Sequence, residues 1–170
     1  GTQMKATGEV MAIGRTIEES LLKAVRSLEI GVSHLYMPKF DSFSTEELLR
    51  YIKEGTDDRI YAIAQLIRLN MDLGRICAIT KIDELYLNKI KNIVKMEKAL
   101  ASAPYHHKTL RQAKIMGFSD SYIARLWRIK EQEVFAIRKE LNLYPVYKII
   151  DNCASEFDSY IPYFYSTYEE

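Results

Sequence analysis

Thr80-Lys81-Ile82-Asp83-Glu84-Leu85-Tyr86-Leu87-Asn88-Lys89-Ile90-Lys91-Asn92-Ile93-Val94-Lys95-Met96-Glu97-Lys98-Ala99-Leu100-Ala101 is the longest helical pattern in the sequence. Ile82, Tyr86, Ile90, Ile93, Val94 and Leu100 recur at three- and four-residue spacing, which puts them on one stripe of a helix and the lysines on its other faces. Thr80 with Asp83 supplies a start signal and Pro104 lies beyond the end, so a helix over about 81–101 is predicted.

The same signals recur on either side. Thr16 with Glu19 forms a capping box, followed by Leu21, Leu22, Val25 and Leu28, with Gly31 as a stop. Residues 32–43 (VSHLYMPKFDSF) show no period and contain Pro38, which predicts a loop. Ser44 with Glu47 caps a second helix carrying Leu48, Leu49 and Ile52 and ending at Gly55. Asp57 caps a third, with Ile60, Ile63, Ala64 and Ile67 on one side and Asn70 at its end, and a short helical turn follows over 72–78. Downstream of the long helix, the pattern gives helices over about 108–116, from Ser119 through Tyr122, Ile123 and Leu126, and over about 131–141 with Val134, Ile137 and Leu141. Residues 143–170 break the pattern with Pro145, Pro162 and eight aromatic residues, and read as an extended strap with one helical turn near 152–157. The expected architecture is all-α: a helical, bundle-like body of about seven helices over 16–141, with non-helical straps at 1–15 and 142–170.

Composition agrees with a helical body. Seven Gly and four Pro in 170 residues are few, and 48% hydrophobic with 28% charged residues is enough for a core and a solvated surface. A net charge of +1 gives no global drive toward nucleic acid or membrane. No run approaches the roughly 18 apolar residues of a membrane span. Cys77 and Cys153 stand far apart without a second ligand at metal spacing, which fits a reducing compartment. The aromatic residues at 163–168 suggest a piece of a longer protein, since exposed aromatics normally pack on something.

The motifs of common chemistries are missing: no GxxxxGK[ST], GxGxxG, HExxH or GxSxG occurs. His34 is expected at the surface or partly packed, His106 and His107 point apart, and Cys77 reads as a small buried hydrophobe. The pairs Glu18-Glu19, Glu46-Glu47 and Asp57-Asp58 fall in expected first turns, where acidic side chains complement the helix dipole. No catalytic, cofactor-binding or metal-binding residue is assigned.

Charge is uneven along the chain. Residues 81–139 hold 13 Lys/Arg against 6 Asp/Glu, while the remainder holds 11 against 17. Within 108–141 the order helix, turn, helix has the rhythm of a DNA-binding helix-turn-helix, the alternative reading. Against it, Trp127-Arg128 occupies the turn where a small residue is usual, and Glu131, Glu133 and Glu140 on the second helix would repel phosphate.

Both straps carry a resemblance. Thr2-Gln3-Met4-Lys5-Ala6-Thr7-Gly8-Glu9-Val10-Met11-Ala12-Ile13-Gly14-Arg15-Thr16 resembles the segment closing the first synthetase half of the large chain of carbamoyl-phosphate synthase. Pro145-Val146-Tyr147-Lys148-Ile149-Ile150-Asp151-Asn152-Cys153-Ala154-Ser155-Glu156-Phe157 and Tyr163-Phe164-Tyr165-Ser166-Thr167-Tyr168-Glu169-Glu170 resemble the segment leading into that chain's second half. Asp58 to Ala64, Thr80 to Asp83 and Gly117 to Asp120 fall in the matching order between them. Asn152 stands where the family commonly has Thr, and residues 32–43 follow no family pattern.

The resemblance implies the helical oligomerisation domain that lies between two ATP-grasp halves. The parent enzyme, a carbon–nitrogen ligase, makes carbamoyl phosphate from bicarbonate, glutamine-derived ammonia and two ATP with Mg or Mn, in the cytoplasm, for arginine and pyrimidine synthesis. Its nucleotide and metal sites lie in the halves, so the resemblance implies a fragment without catalytic residues or cofactor. Implied partners are the two halves, another copy of the chain, and the small glutaminase chain through the parent. Neither nucleic acid nor membrane is expected. Leu35, Tyr36, Phe40, Phe43 and Trp127 are the candidates for self-association. Val10, Met11, Ile13, Tyr147, Phe157, Tyr165 and Tyr168 are the candidates for docking to the halves.

Overall fold

A computed structural model describes residues 16–28, 32–144, 146–150 and 163–167. Among these residues there are eight α-helices: α1 (Ile17–Leu28), α2 (Thr45–Lys53), α3 (Arg59–Arg68), α4 (Leu73–Thr80), α5 (Glu84–Ser102), α6 (His107–Met116), α7 (Asp120–Trp127) and α8 (Glu131–Glu140). A 3-10 turn spans Pro38–Ser42. Strands β1 (Val146–Ile150) and β2 (Tyr163–Thr167) pair antiparallel, with Val146 opposite Thr167 and Ile150 opposite Tyr163.

The body is all-helical, as its periodicities predict, and α5 is its axis, packing against α1, α3, α4, α6 and α7. Leu87, Ile90, Ile93, Val94 and Leu100 of α5 are buried. Tyr86, placed in the core stripe by sequence, is 40% exposed, and Leu87 takes the inward position. Leu85, Tyr86 and Leu87 are consecutive on a helix that turns 100° per residue, so all three cannot face one side. Thr80 does not start this helix. Its hydroxyl donates to Ile76 O inside α4 and accepts from Ile82 N–H, while Lys81 closes α4 at φ 62°. Asp83 is the cap, accepting from Leu85 N–H at 2.8 Å. The expected turn over 72–78 is a full helix, α4, which raises the helix count above seven.

Side-chain caps define several of the remaining starts. Ser44 and Glu47 complete a reciprocal capping box on α2, and Thr16 Oγ1 accepts from Glu19 N–H at 3.1 Å on α1. His106 caps α6 through Nδ1, and Ser119 caps α7. Asp58, not Asp57, sits at the start of α3 and spends its carboxylate on Lys39, Tyr51 and Thr56 rather than on a helix N–H. Gly117 closes α6 at φ 104°, and a Cβ there would stand 3.2 Å from Glu19 Cα. That position needs glycine both for its backbone and for the approach of α1.

The strap after the body differs from the expected extended tail by returning on itself as the β1–β2 ribbon. Gly31 and the turn expected near 152–157 lie outside the described residues, and Cys77 is half-exposed rather than buried.

Candidate functional site

The loop from 32 to 43 holds the first surprise. His34, Leu35 and Phe40 are interior, none more than 1% exposed. The expectation of a His34 at the surface or partly packed is thereby corrected, since the ring is fully buried. Its ring stacks on Tyr122 with centroids 3.7 Å apart and tilts against Phe118. Its Nε2 lies 2.9 Å from Glu97 Oε2. Glu97 also takes two hydrogen bonds from the Arg68 guanidinium, which donates a third to Leu35 O at 2.6 Å. This buried His34–Glu97–Arg68 group ties the loop to α3 and α5.

Electrostatics follow from burial. Desolvation pulls the His34 pKa below the ordinary histidine range, against the opposing effect of Glu97. Burial works against the Glu97 charge, but the bonds from Arg68 and His34 overcome it and hold the carboxyl below the usual range. Desolvation also raises the Tyr122 hydroxyl well above that of free tyrosine.

The self-association candidates are therefore mostly structural. Leu35, Phe40 and Trp127 are interior and offer no surface, which corrects that expectation. Trp127 donates from Nε1 to Leu100 O at 2.8 Å. Phe43 is half-buried in an edge-on cluster with Phe40 and Tyr51. Tyr36 is half-buried, between the guanidinium groups of Arg68 and Arg125, and hydrogen-bonds Asp41. Apolar surface comes instead from residues the sequence did not single out: Leu69, Leu85, Tyr105, Phe135 and Tyr144, with Tyr86, are each 40–56% exposed. The run Leu85-Tyr86-Leu87 was the available signal. Val10, Met11, Ile13, Phe157 and Tyr168 lie outside the described residues, and Tyr147 and Tyr165 are described only as members of β1 and β2.

A second ionic group braces the helices of the helix-turn-helix reading. Asp120 accepts from Arg138 and pairs with Lys114 at 3.0 Å. Arg138 Nη1 reaches Leu143 O, and Lys114 Nζ reaches Phe118 O. Desolvation pulls the Lys114 pKa down to about 8 although Asp120 opposes it. Burial works to raise the Asp120 pKa, and its bonds with Arg138 and Lys114 hold it low. Arg125 donates to the Tyr36 hydroxyl. Three cations of this basic stretch thus hold the fold together, and Glu131, Glu133 and Glu140 of α8 lie on the solvent side.

Among the described residues there is no group of three or more His, Cys, Asp and Glu side chains that could hold a metal, and no helix long and apolar enough to cross a membrane. The geometry is that of a helical body with exposed apolar side chains. The family model for the oligomerisation domain of the carbamoyl-phosphate synthetase large chain matches residues 9–142. The chain belongs to this family. The match covers all eight helices of this oligomerisation domain and extends upstream of Thr16, the first described residue.

Proposed function

We propose that this chain is a non-catalytic assembly and spacer domain within a carbamoyl-phosphate synthase large chain. The observation that carries the reading is the family match over the whole helical body. The exposed apolar side chains give such a body something to associate through, since association of this kind buries roughly 1,200 Å² or more and usually closes with symmetry. In this reading residues 1–15 and 142–170 connect the body to the two ATP-grasp halves, and the small glutaminase chain is reached only through them. The parent, with ATP and Mg or Mn bound in its halves, makes carbamoyl phosphate in the cytoplasm. The fragment itself holds no cofactor.

Light scattering behind a sizing column tests this over a hundredfold range of concentration and at two salt levels. A dimer or tetramer that tightens with concentration, and strengthens in a salt such as sulfate that favours apolar burial, is the expected result. A monomer under every condition overturns the self-association half of the proposal. ATP turnover by the isolated chain would overturn the non-catalytic half.

A further inference from the structure

The two ring nitrogens of His34 stand in different surroundings. Nε2 lies 2.9 Å from Glu97 Oε2, and Glu97 is a carboxylate whose charge is secured by two bonds from Arg68. A carboxylate only accepts, so Nε2 carries the hydrogen and donates it. A neutral imidazole has one N–H, which leaves Nδ1 bare. Nδ1 is buried and has no hydrogen-bond partner among the described residues. A second proton enters at Nδ1 and makes a buried N–H with no acceptor, which costs the full desolvation of that group. The surrounding charges do not remove this obstacle. Glu97 of α5 favours the imidazolium, whereas Arg68 of α3 and Arg26 of α1 oppose it. Tyr122 of α7 stacks on the ring and Phe118 tilts against it, so its faces are closed. We infer that His34 is an acid-released latch: a proton on Nδ1 expels the ring, and residues 32–37 lift off the helical body while the helices stay folded.

The contacts set the limits of the moving piece. Just beyond it, Phe40 is interior and packs edge-on against Phe43 and against Tyr51 of α2. Lys39 pairs with Asp58 at the start of α3. These ties do not involve the histidine, so the 3-10 turn at Pro38–Ser42 stays in place and the release stops short of it. The interior keeps a paired charge as well, because the two bonds from Arg68 to Glu97 need no part of the loop. What the opening gives up is the Arg68 bond to Leu35 O and the place of Tyr36 between Arg68 and Arg125. What it uncovers is the surface of Phe118 and Tyr122 on which the imidazole sits. Loops with few such ties are drawn from the low-stability end of a fold and open without the rest. This inference goes beyond the assembly role and does not depend on self-association.

The test is nuclear magnetic resonance of the 170-residue chain from neutral pH into mild acid. The probes are the His34 ring nitrogens and the methyl groups of Leu35 in the loop, Ile63 in α3, and Ile90 and Ile93 in α5. The expected result is a second, slowly exchanging set of signals for His34 and Leu35, with the ring in its imidazolium form. That set grows relative to the first by about tenfold per pH unit below 6.5, while the methyl signals of Ile63, Ile90 and Ile93 stay native. Two results in the unmodified chain overturn the inference. In one, His34 takes its proton in place, as a single averaged set that keeps its contacts with Tyr122. In the other, His34 and Leu35 keep one neutral-ring set until the helix methyl signals are lost with them. His34→Gln does not titrate and is expected to keep a single Leu35 set throughout; an acid-dependent second set in that variant also overturns the inference. If the variant does not fold, the series on the unmodified chain decides alone.

Discussion

Residues 32–43 and helix α8 form an instructive pair. The first has no period, contains a proline and reads as loop, yet it places His34, Leu35 and Phe40 wholly inside the protein. The second has a helical pattern and a regular hydrogen-bonded backbone, yet only Val134 and Arg138 of its ten residues are buried. Regularity and burial are therefore separate properties. A helix needs only one stripe covered. A loop enclosed by α3, α5 and α7 must pair its buried polar groups, and the Arg68 bond to Leu35 O and the Glu97 bond to His34 Nε2 supply two of those pairings, while His34 Nδ1 is buried without a hydrogen-bond partner among the described residues.

The comparison can be broken at its strongest point first. Phe40→Ala is expected to cost about 3–5 kcal/mol, the usual range for a fully buried aromatic, measured by urea unfolding with circular dichroism. A cost below about 1 kcal/mol would mean that the loop is not part of the core. Glu97→Gln keeps the volume but leaves the buried Arg68 guanidinium without its counter-charge, and is expected to cost about 3 kcal/mol in the same assay. Gly117→Ala, at the contact of α1 with the α6–α7 corner, is expected to cost about 1–2 kcal/mol from left-handed backbone strain and the 3.2 Å approach to Glu19 Cα. On α8, Glu133→Ala is expected to stay within about 0.5 kcal/mol, because its side chain is exposed.

A pH series sharpens the same contrast. The folded pKa of His34 lies below its ordinary value of 6.5, so between those two values the unfolded chain binds the extra proton. Stability is therefore full above pH 6.5 and declines as pH falls toward the folded pKa, by at most about 1.4 kcal/mol per pH unit from this one group. Glu97, Asp58 and Asp120 are held low and lose their own contributions at more acid pH. Lys114, with its folded pKa of about 8, contributes its own slope above about pH 7, so unfolding measured between pH 6.5 and about 5.5 is the window for the histidine, and His34→Gln is expected to flatten the slope there. An unchanged slope in that variant would remove His34 from the account.

How far the sequence could be read follows the same division. Helix starts were legible where a side chain caps its own helix, as at Thr16, Ser44 and Ser119, because the donor and acceptor are three residues apart. The start of α5 was misread because Thr80 and Asp83 match the same template while serving different helices. Three of the five self-association candidates, Leu35, Phe40 and Trp127, are buried. Leu35 and Trp127 look uncommitted in the sequence because their partners are remote: Arg68 reaches Leu35 O from 33 residues away and Leu100 meets Trp127 from 27, whereas Phe40 packs on Phe43 and Tyr51 nearby.

The sequence by itself determined the helical class, most helix positions and the family, because periodicity, caps and motifs are local patterns written in neighbouring residues. Only the tertiary structure decided which apolar side chains face water, where His34 sits and which cations are spent on internal pairs. Those are properties of surfaces brought together from distant parts of the chain, and burial and pairing exist only once the helices have met.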